Sequence, residues 1–459
     1  MAPGAKKALW VVGVVVVLGL ALPVSNLFVG SPQGTALTTP PPKDAQTAQV
    51  ARVLEQSCAS CHVPGVRAPF YAALPVAKTI VERDVKEGLG SFDLARGMAT
   101  EGPVPEPVLA KIEREVKDGE MPPAAYVALH WNAGLGGEKK EVVLAWVRTQ
   151  RAAQAAPGMP EPTKAALIRP IPDTLDVDPV KAALGEKLYH DTRLSGDNTI
   201  SCASCHDLAR GGTDQHVVSD GIRGQKGGIN SPTTYNAALN FAQFWDGRAA
   251  TLEAQADGPP NNPVEMGSNW TPITEKLVKD KAFVKEFTAA YPEGVNKDTA
   301  THAIAEYERT LLTPNSKFDK YLKGDAGALT ADEKRGYEVF QEKGCATCHV
   351  GELLGGKSYE VMGRRADYFA ARGTPTTPAD DGRYSVTKDE RDRHFFKVPT
   401  LRNVARTFPY LHDGSKKTLR EAVDAMASYQ TGEALSEKDG QDVVKFLETL
   451  TGEFKGKAL

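Results

Sequence analysis

The sequence predicts a mostly α-helical chain in which a membrane-spanning N-terminus precedes three small helical domains, the last two of them fused. Three observations predict this. Two lysines and a long apolar run open the chain, the pentapeptide Cys-x-x-Cys-His occurs three times, and a helical pattern precedes each occurrence. At 459 residues the chain is long enough for two or three domains. Its 41% hydrophobic and 25% charged residues are those of an ordinary globular protein. A formal net charge of −3 gives no basic surface for nucleic acid.

Lys6 and Lys7 precede the apolar run from Ala8 to Leu22, which resumes weakly at Leu27, Phe28 and Val29. Such a run with positive flanking charge is a signal anchor or a signal peptide. No small-x-small cleavage site follows it, which favours an uncleaved anchor over residues 1–30. The lysines then stay in the cytoplasm and the remainder is exported, an inner-membrane protein with its globular part in the periplasm. Residues 31–49 form a polar linker containing Pro40, Pro41 and Pro42.

The first helical pattern is Val50, Val53 and Leu54, running towards Cys58-Ala-Ser-Cys61-His62. The second is Ala183, Leu184 and Leu188, before Cys202-Ala-Ser-Cys205-His206. The third is Tyr337, Val339 and Phe340, opened by a Thr330/Glu333 capping box and followed by Cys345-Ala-Thr-Cys348-His349. A helix running into such a motif is how small cytochrome c domains begin. An Ala- and Pro-rich break from Ala152 to Pro162 sets the first unit apart, whereas helical stretches such as Thr299 to Leu312 join the second to the third. The domains read as 50–155, 163–325 and 326–459.

All six cysteines lie in these pentapeptides. Two cysteines one helical turn apart reach the two vinyl groups of one porphyrin, and the adjacent histidine lies under the iron. Zinc would need paired clusters, and no cysteine is left over. A thioredoxin-like dithiol would need a βαβ context. The reading is therefore three covalent haem c groups held by Cys58, Cys61, Cys202, Cys205, Cys345 and Cys348, with His62, His206 and His349 as proximal ligands.

A methionine as sixth ligand closes a haem and raises its potential, whereas an open position admits a small molecule. For the first haem the candidate is Met121, on a stiff segment before Pro122 and Pro123, with Met98 and His130 as rivals. For the third it is Met426, which shares a helical face with Leu419, Ala422 and Val423 and competes with Met362. The second haem has no comparable methionine, Met266 aside. Its motif is followed by a long polar stretch and then by Trp245, Gln255 and Glu265. A carboxylate and an amide over an open iron suit heterolytic cleavage of a peroxide O–O bond.

From about Pro170 to Gly452 the chain resembles the bacterial di-haem cytochrome c peroxidases, the superfamily that includes MauG-type enzymes. The strings that carry the likeness are Leu184 to Tyr189, Cys202 to Gly212, Asn230 to Thr233, Phe244-Trp-Asp-Gly-Arg-Ala249, Val398 to Asn403, His412-Asp413-Gly414 and the terminal helix ending at Gly452. The resemblance implies a fused di-haem peroxidase core: a peroxidatic haem domain over 163–325 and an electron-transfer haem domain over 326–459. It implies that Gln255 and Glu265 line the distal pocket of the His206 haem, with Glu265 as acid–base group. Trp245 would lie on the electron path between the haems, and His349 and Met426 would be an axial pair. A tyrosine at the Met426 position is associated with MauG-type side-chain oxidation, so Met426 speaks against that activity. The family's calcium ion would take Asn230 and the backbone carbonyls of Thr407 and Pro409.

The chain departs from the family at one place. Members that need reductive activation carry a distal histidine where Ile222 stands, and the nearest loop histidine is His216. Gly221, Gly224, Gly227 and Gly228 make this loop a mobile one by expectation. The first unit resembles a separate haem-binding domain through Cys58 to His62, Tyr71, Gly119 to Pro123, Tyr126, His130 and Trp146. Anchor, haem domain and core together resemble tri-haem membrane peroxidases, some regarded as quinol peroxidases. The expected activity is reduction of hydrogen peroxide to water with electrons from quinol or a soluble cytochrome. The alternatives are a MauG-like oxidase of a protein side chain and an electron-transfer cytochrome. A homodimer is compatible with all three.

Overall fold

The computed structural model describes residues 20–21, 23–26, 37–38, 42, 44–99, 103–155, 159 and 163–459. The apolar run from Ala8 to Leu22 lies outside the described residues except for 20–21, and so does most of the linker. No helix among the described residues is long and apolar enough to cross a membrane. The chain divides into two compact units, Met1–Ala155 and Ala156–Leu459.

In the first unit helix α1 (Ala45–Ser57) starts at Asp44, whose side chain accepts from the amide of Thr47. Helix α2 (Pro75–Ser91) follows, then α3 (Glu106–Asp118), which ends at Gly119 in the left-handed region, φ +70°. Helix α4 (Glu138–Ala152) closes the unit. Val50, Ala51 and Leu54 of α1 and Trp146 and Val147 of α4 are buried in one apolar core. The Trp146 indole donates to Thr47 Oγ1 at 2.8 Å, so the largest core side chain also satisfies its polar edge. Beneath it Arg151 is buried against Glu106 at 2.6 Å and Glu113 at 2.8 Å.

The second unit repeats this plan twice. Helix α5 (Pro179–Tyr189) crosses α7 (Lys297–Arg309), with the short α6 (Leu252–Ala256) between them in sequence. Helix α8 (Ala331–Glu342) crosses α10 (Glu437–Glu448). Each crossing is made by a glycine facing an aromatic residue. A Cβ on Gly185 would stand 1.8 Å from the carbonyl oxygen of Ala303 and 2.9 Å from Cβ of Tyr307. A Cβ on Gly336 would stand 1.9 Å from the carbonyl oxygen of Asp442 and 2.9 Å from Cβ of Phe446. The helix before the motif and a long helix after it therefore touch backbone to backbone in both places.

Strand is scarce. β1 (Tyr359–Val361) pairs antiparallel with β2 (Phe395–Lys397), Tyr359 opposite Lys397, and a two-residue hairpin lies near the C-terminus. After β2 comes α9 (Leu419–Met426), whose capping box joins Thr418 and Glu421. One expectation is corrected. α5 does not run into its motif: it ends at Tyr189, and a 3-10 turn, Thr192–Leu194, and an irregular turn with Asn198 at positive φ intervene before Cys202. Asp191 ends the helix by accepting from the amide of Arg193, which starts the turn.

Alanine is ordinarily the better helix former, so Gly336→Ala isolates the crossing. A Cβ meeting backbone cannot be relieved by a rotamer change, and overpacking of this kind costs about 1–3 kcal/mol. The substitution is expected to lower the Tm of the purified protein; an unchanged or raised Tm would contradict the close crossing.

Candidate active site

The six cysteines form no disulfide. Apolar surroundings push the thiols of Cys58 and Cys202 up to about 12 and that of Cys205 up to about 11. Thiols so hard to ionise are unsuited to dithiol exchange and suited to burial as thioethers. The three motif histidines share one geometry. Nδ1 faces a backbone carbonyl in each: His62 with Phe92 at 3.0 Å, His206 with Gly212 at 3.3 Å and His349 with Leu354 at 2.8 Å. That bond fixes the proton on Nδ1 and leaves Nε2 as a lone-pair donor. Burial pushes the imidazole of His349 down to about 4 and that of His206 below its ordinary value, so both are neutral, as ligands must be.

Three side chains are the candidates for the position opposite His62. Met98 packs against the apolar core. His130 is fully buried with Nδ1 on the carbonyl of Tyr126 at 3.1 Å and Nε2 on the Tyr71 hydroxyl at 3.4 Å, which occupies both ring nitrogens. Met121 is half-buried in the turn between Gly119 and Tyr126. Ser60, inside the first motif, donates to the Tyr126 hydroxyl at 2.8 Å and so ties the Met121 segment to the motif.

In the third domain Met426 ends α9 and opens a π-helical turn, Ala427–Thr431. Such turns often re-aim a side chain at a functional site. Ala422 and Val423 of α9 pack in the cluster that holds Cys345, while Met426 packs with Trp245, Met362 and Phe396. Met362 is buried, and Gln430 Nε2 approaches its sulfur at 3.8 Å. Met426 has no such competitor for its sulfur.

Around the second motif the distal candidates come from one loop system. Glu265 Oε1 accepts from Asn262 Nδ2 at 2.7 Å. Burial raises its carboxyl above the ordinary range, opposed by Arg248 and by the Asn262 bond. Its charge reaches the thiol of Cys205, so the two share the electrostatic surroundings of the second motif. Gln255 lies half-buried on α6, which leads through the turn Gly258–Asn261 to Asn262. Met266 is 2% exposed in the core with Leu184, Leu188 and Trp270, so it is structural. Asn262 and Arg248 are the functional residues that sequence reasoning passed over. Arg248 lies inside a string already singled out, Asn262 does not, and a hydrogen bond from three residues back leaves no periodic signal.

The glycine-rich loop is docked at Gly221 and Ile222, while Gly224 and Gly228 face open space. Ile222 is 2% exposed, and its amide donates to the carbonyl of Glu265 at 2.8 Å. A Cβ on Gly221 would stand 1.9 Å from the carbonyl oxygen of Val264, and one on Gly267 would stand 3.1 Å from Ile222 Cδ1. These glycines allow close approach rather than motion. His216 points elsewhere, its side chain 52% exposed with Nδ1 3.7 Å from Asp220 and 3.9 Å from Asp214.

The Trp245 indole donates to the carbonyl of Asn230 at 2.8 Å, and the Asn230 amide donates to the carbonyl of His412 at 2.8 Å. Asn230 Nδ2 donates to the carbonyl of His216 at 2.9 Å, which leaves its oxygen available to a cation. Gln215 Nε2 reaches the carbonyl of Arg406 at 3.0 Å, so the loop next to Asn230 is tied to the segment of Thr407 and Pro409. Haem fits this framework on a further ground. Arg364, two residues beyond Met362, buries its Nε with no acceptor in the polypeptide, as an arginine awaiting a carboxylate would.

Three family models match the chain: a haem-binding domain over residues 27–149, di-haem cytochrome c peroxidase over 179–327, and cytochrome c over 333–451. Cytochrome c peroxidase Ccp of Escherichia coli is 46% identical over 403 residues, covering 87% of this chain and 86% of the relative. Cytochrome c551 peroxidase of Nitrosomonas europaea is 45% identical, covering 62% of this chain and 84% of the relative. Methylamine utilization protein MauG of Methylorubrum extorquens is 33% identical, with coverages of 62% and 82%. Among solved structures, a MauG-like protein associated with microbial copper homeostasis aligns with a TM-score of 0.56 at 28% identity, covering 65% of this chain and 96% of that one.

An aliphatic Ile222 cannot ligate iron, and His216 is turned towards two carboxylates. The fully oxidised holoprotein is therefore expected to give a high-spin ferric EPR signal from the His206 haem, indifferent to His216→Ala. Only low-spin signals, with a high-spin one appearing after that substitution, would show His216 to be a ligand.

Proposed function

We propose, from the premise that this chain belongs to the di-haem cytochrome c peroxidase family, that it is a tri-haem quinol-oxidising peroxidase anchored in the inner membrane and reducing hydrogen peroxide to water in the periplasm. The coarser statement stands by itself: the protein is a haem peroxidase that binds haem c. The finer points are the third haem, the anchor, the quinol donor and a calcium ion. They are supported by the three motifs, the N-terminal apolar run, the separate first unit and the carbonyl donors around Asn230.

When bound, the haems supply the electron transfer and the iron at which peroxide is reduced. The polypeptide does the rest. His206 offers Nε2 because Gly212 holds Nδ1. Ile222 fills the loop position without offering a ligand, so a haem held by His206 would be left free to bind peroxide. Glu265, held by Asn262, moves a proton between the two peroxide oxygens, and Gln255 orients the bound peroxide. His349 and Met426 would hold the other core haem, which would serve electron transfer, and Trp245 would lie on the path between the two. Met426 also favours this reading over oxidation of a protein side chain. The observation that carries the proposal is Glu265, a half-buried carboxyl held by Asn262 and raised by burial near the second motif.

Peroxide-dependent oxidation of a quinol by the full-length holoprotein tests this. Glu265→Gln is expected to lower turnover by about 100- to 10,000-fold. The base must be ionised, so activity falls as pH drops through the raised Glu265 value. Arg248 opposes that rise, so Arg248→Met is expected to move the acid limb of the pH profile upward. Wild-type turnover in Glu265→Gln would overturn the acid–base assignment. Turnover with reduced cytochrome c and none with quinol would make the donor a soluble protein.

A further inference from the structure

Among the described residues the fully buried arginines are paired. Arg151 meets Glu106 at 2.6 Å, Arg169 meets Glu352 at 2.8 Å and Arg402 meets Asp319 at 2.8 Å. Lys397 differs from them. It is 7% exposed, yet among the described residues no carboxylate lies near its ammonium and no group accepts a hydrogen bond from it. An ammonium taken out of water without a counter-charge costs several kcal/mol. Burial acting alone pushes Lys397 down to about 8.

Its place in the fold says what is missing. Lys397 is the last residue of β2, opposite Tyr359 of β1, and its own amide donates to the carbonyl of Trp245 at 2.7 Å. The preceding residue, Phe396, faces the other way along the strand. Its ring stacks on His412 with centroids 4.3 Å apart and packs in the cluster of Trp245 and Met426. Lys397 is thus fixed at the tryptophan that lies within the fused core, and the polypeptide there offers it no anion. Haem carries two carboxylates of its own, on the propionate side chains.

We propose that Lys397 Nζ is the ion-pair partner of a haem propionate in the fused core, and so helps to position that haem and to set its potential. The inference rests on the haem-bound reading of the core. A cation beside a propionate disfavours the ferric form, which carries one more positive charge than the ferrous form. Removing it stabilises the ferric form and lowers the midpoint potential.

The test is spectroelectrochemistry of each haem in the holoprotein, wild type against Lys397→Met and Lys397→Arg. The Met variant is expected to lower the potential of one core haem while leaving the His62 haem unchanged, and the Arg variant is expected to retain the wild-type value. Which core haem moves identifies whose propionate is held. Unchanged core potentials in both variants would overturn the pairing, as would equal shifts of every haem. The optical spectrum of each sample counts its haems, so absence of haem from the wild type would instead refute the haem-bound reading. A crystal structure of the wild-type holoprotein decides the pair even if the Met variant fails to fold. A propionate oxygen within hydrogen-bond distance of Nζ supports it, and a water or an apolar wall there overturns it.

Discussion

The rest of the structure depends on one hydrogen bond made three times, from a motif histidine Nδ1 to a backbone carbonyl. It decides which ring nitrogen is free and where that nitrogen points. The acceptors lie 30, 6 and 5 residues from their histidines, at Phe92, Gly212 and Leu354. Each is a carbonyl in irregular chain or at a helix end, where no ladder competes for it. A histidine so held needs no reorganisation when iron arrives, and burial keeps His206 and His349 neutral for the purpose.

Close helix crossings hold these carbonyls and motifs in register. In the second unit Gly185 and Gly336 bring a helix within backbone distance of its partner, with Tyr307 and Phe446 filling the groove beside them. The Tyr189 hydroxyl, at the end of α5, donates to the carbonyl of His206 at 2.6 Å, so the crossing and the proximal ligand are joined by one side chain. The first unit makes the same arrangement with Ala51 and Trp146 in its core instead of a glycine and a tyrosine or phenylalanine. The distal side obeys a different logic. There the chain is mostly loop, and close contacts at Gly221 and Gly267 replace helix packing in fixing Ile222 and Glu265.

What was legible in the sequence follows from this division. The motif helices announced themselves because Leu54, Leu188 and Phe340 are buried at helical spacing, and the Thr330/Glu333 box is a local signal. Where the helix before Cys202 stops was not legible, because Asp191 caps a new turn rather than prolonging the old helix. The docking of Gly221 was not legible, since glycine composition is the same whether it serves motion or close approach, and the carbonyl of Val264 distinguishes them. Lys397 was invisible for the opposite reason. A lysine in a short strand reads as solvated, and the residue its amide bonds to, Trp245, lies 152 residues earlier in the chain.

The central claim is that three histidines are set, Nε2 outward, beside three cysteine pairs, so that each motif carries one covalent haem. Intact mass of the purified holoprotein, measured after thiol alkylation under denaturing conditions, tests this most directly. The account predicts a mass of the chain plus three haems and no alkylated cysteine. Two haems with a pair of alkylated thiols would contradict it.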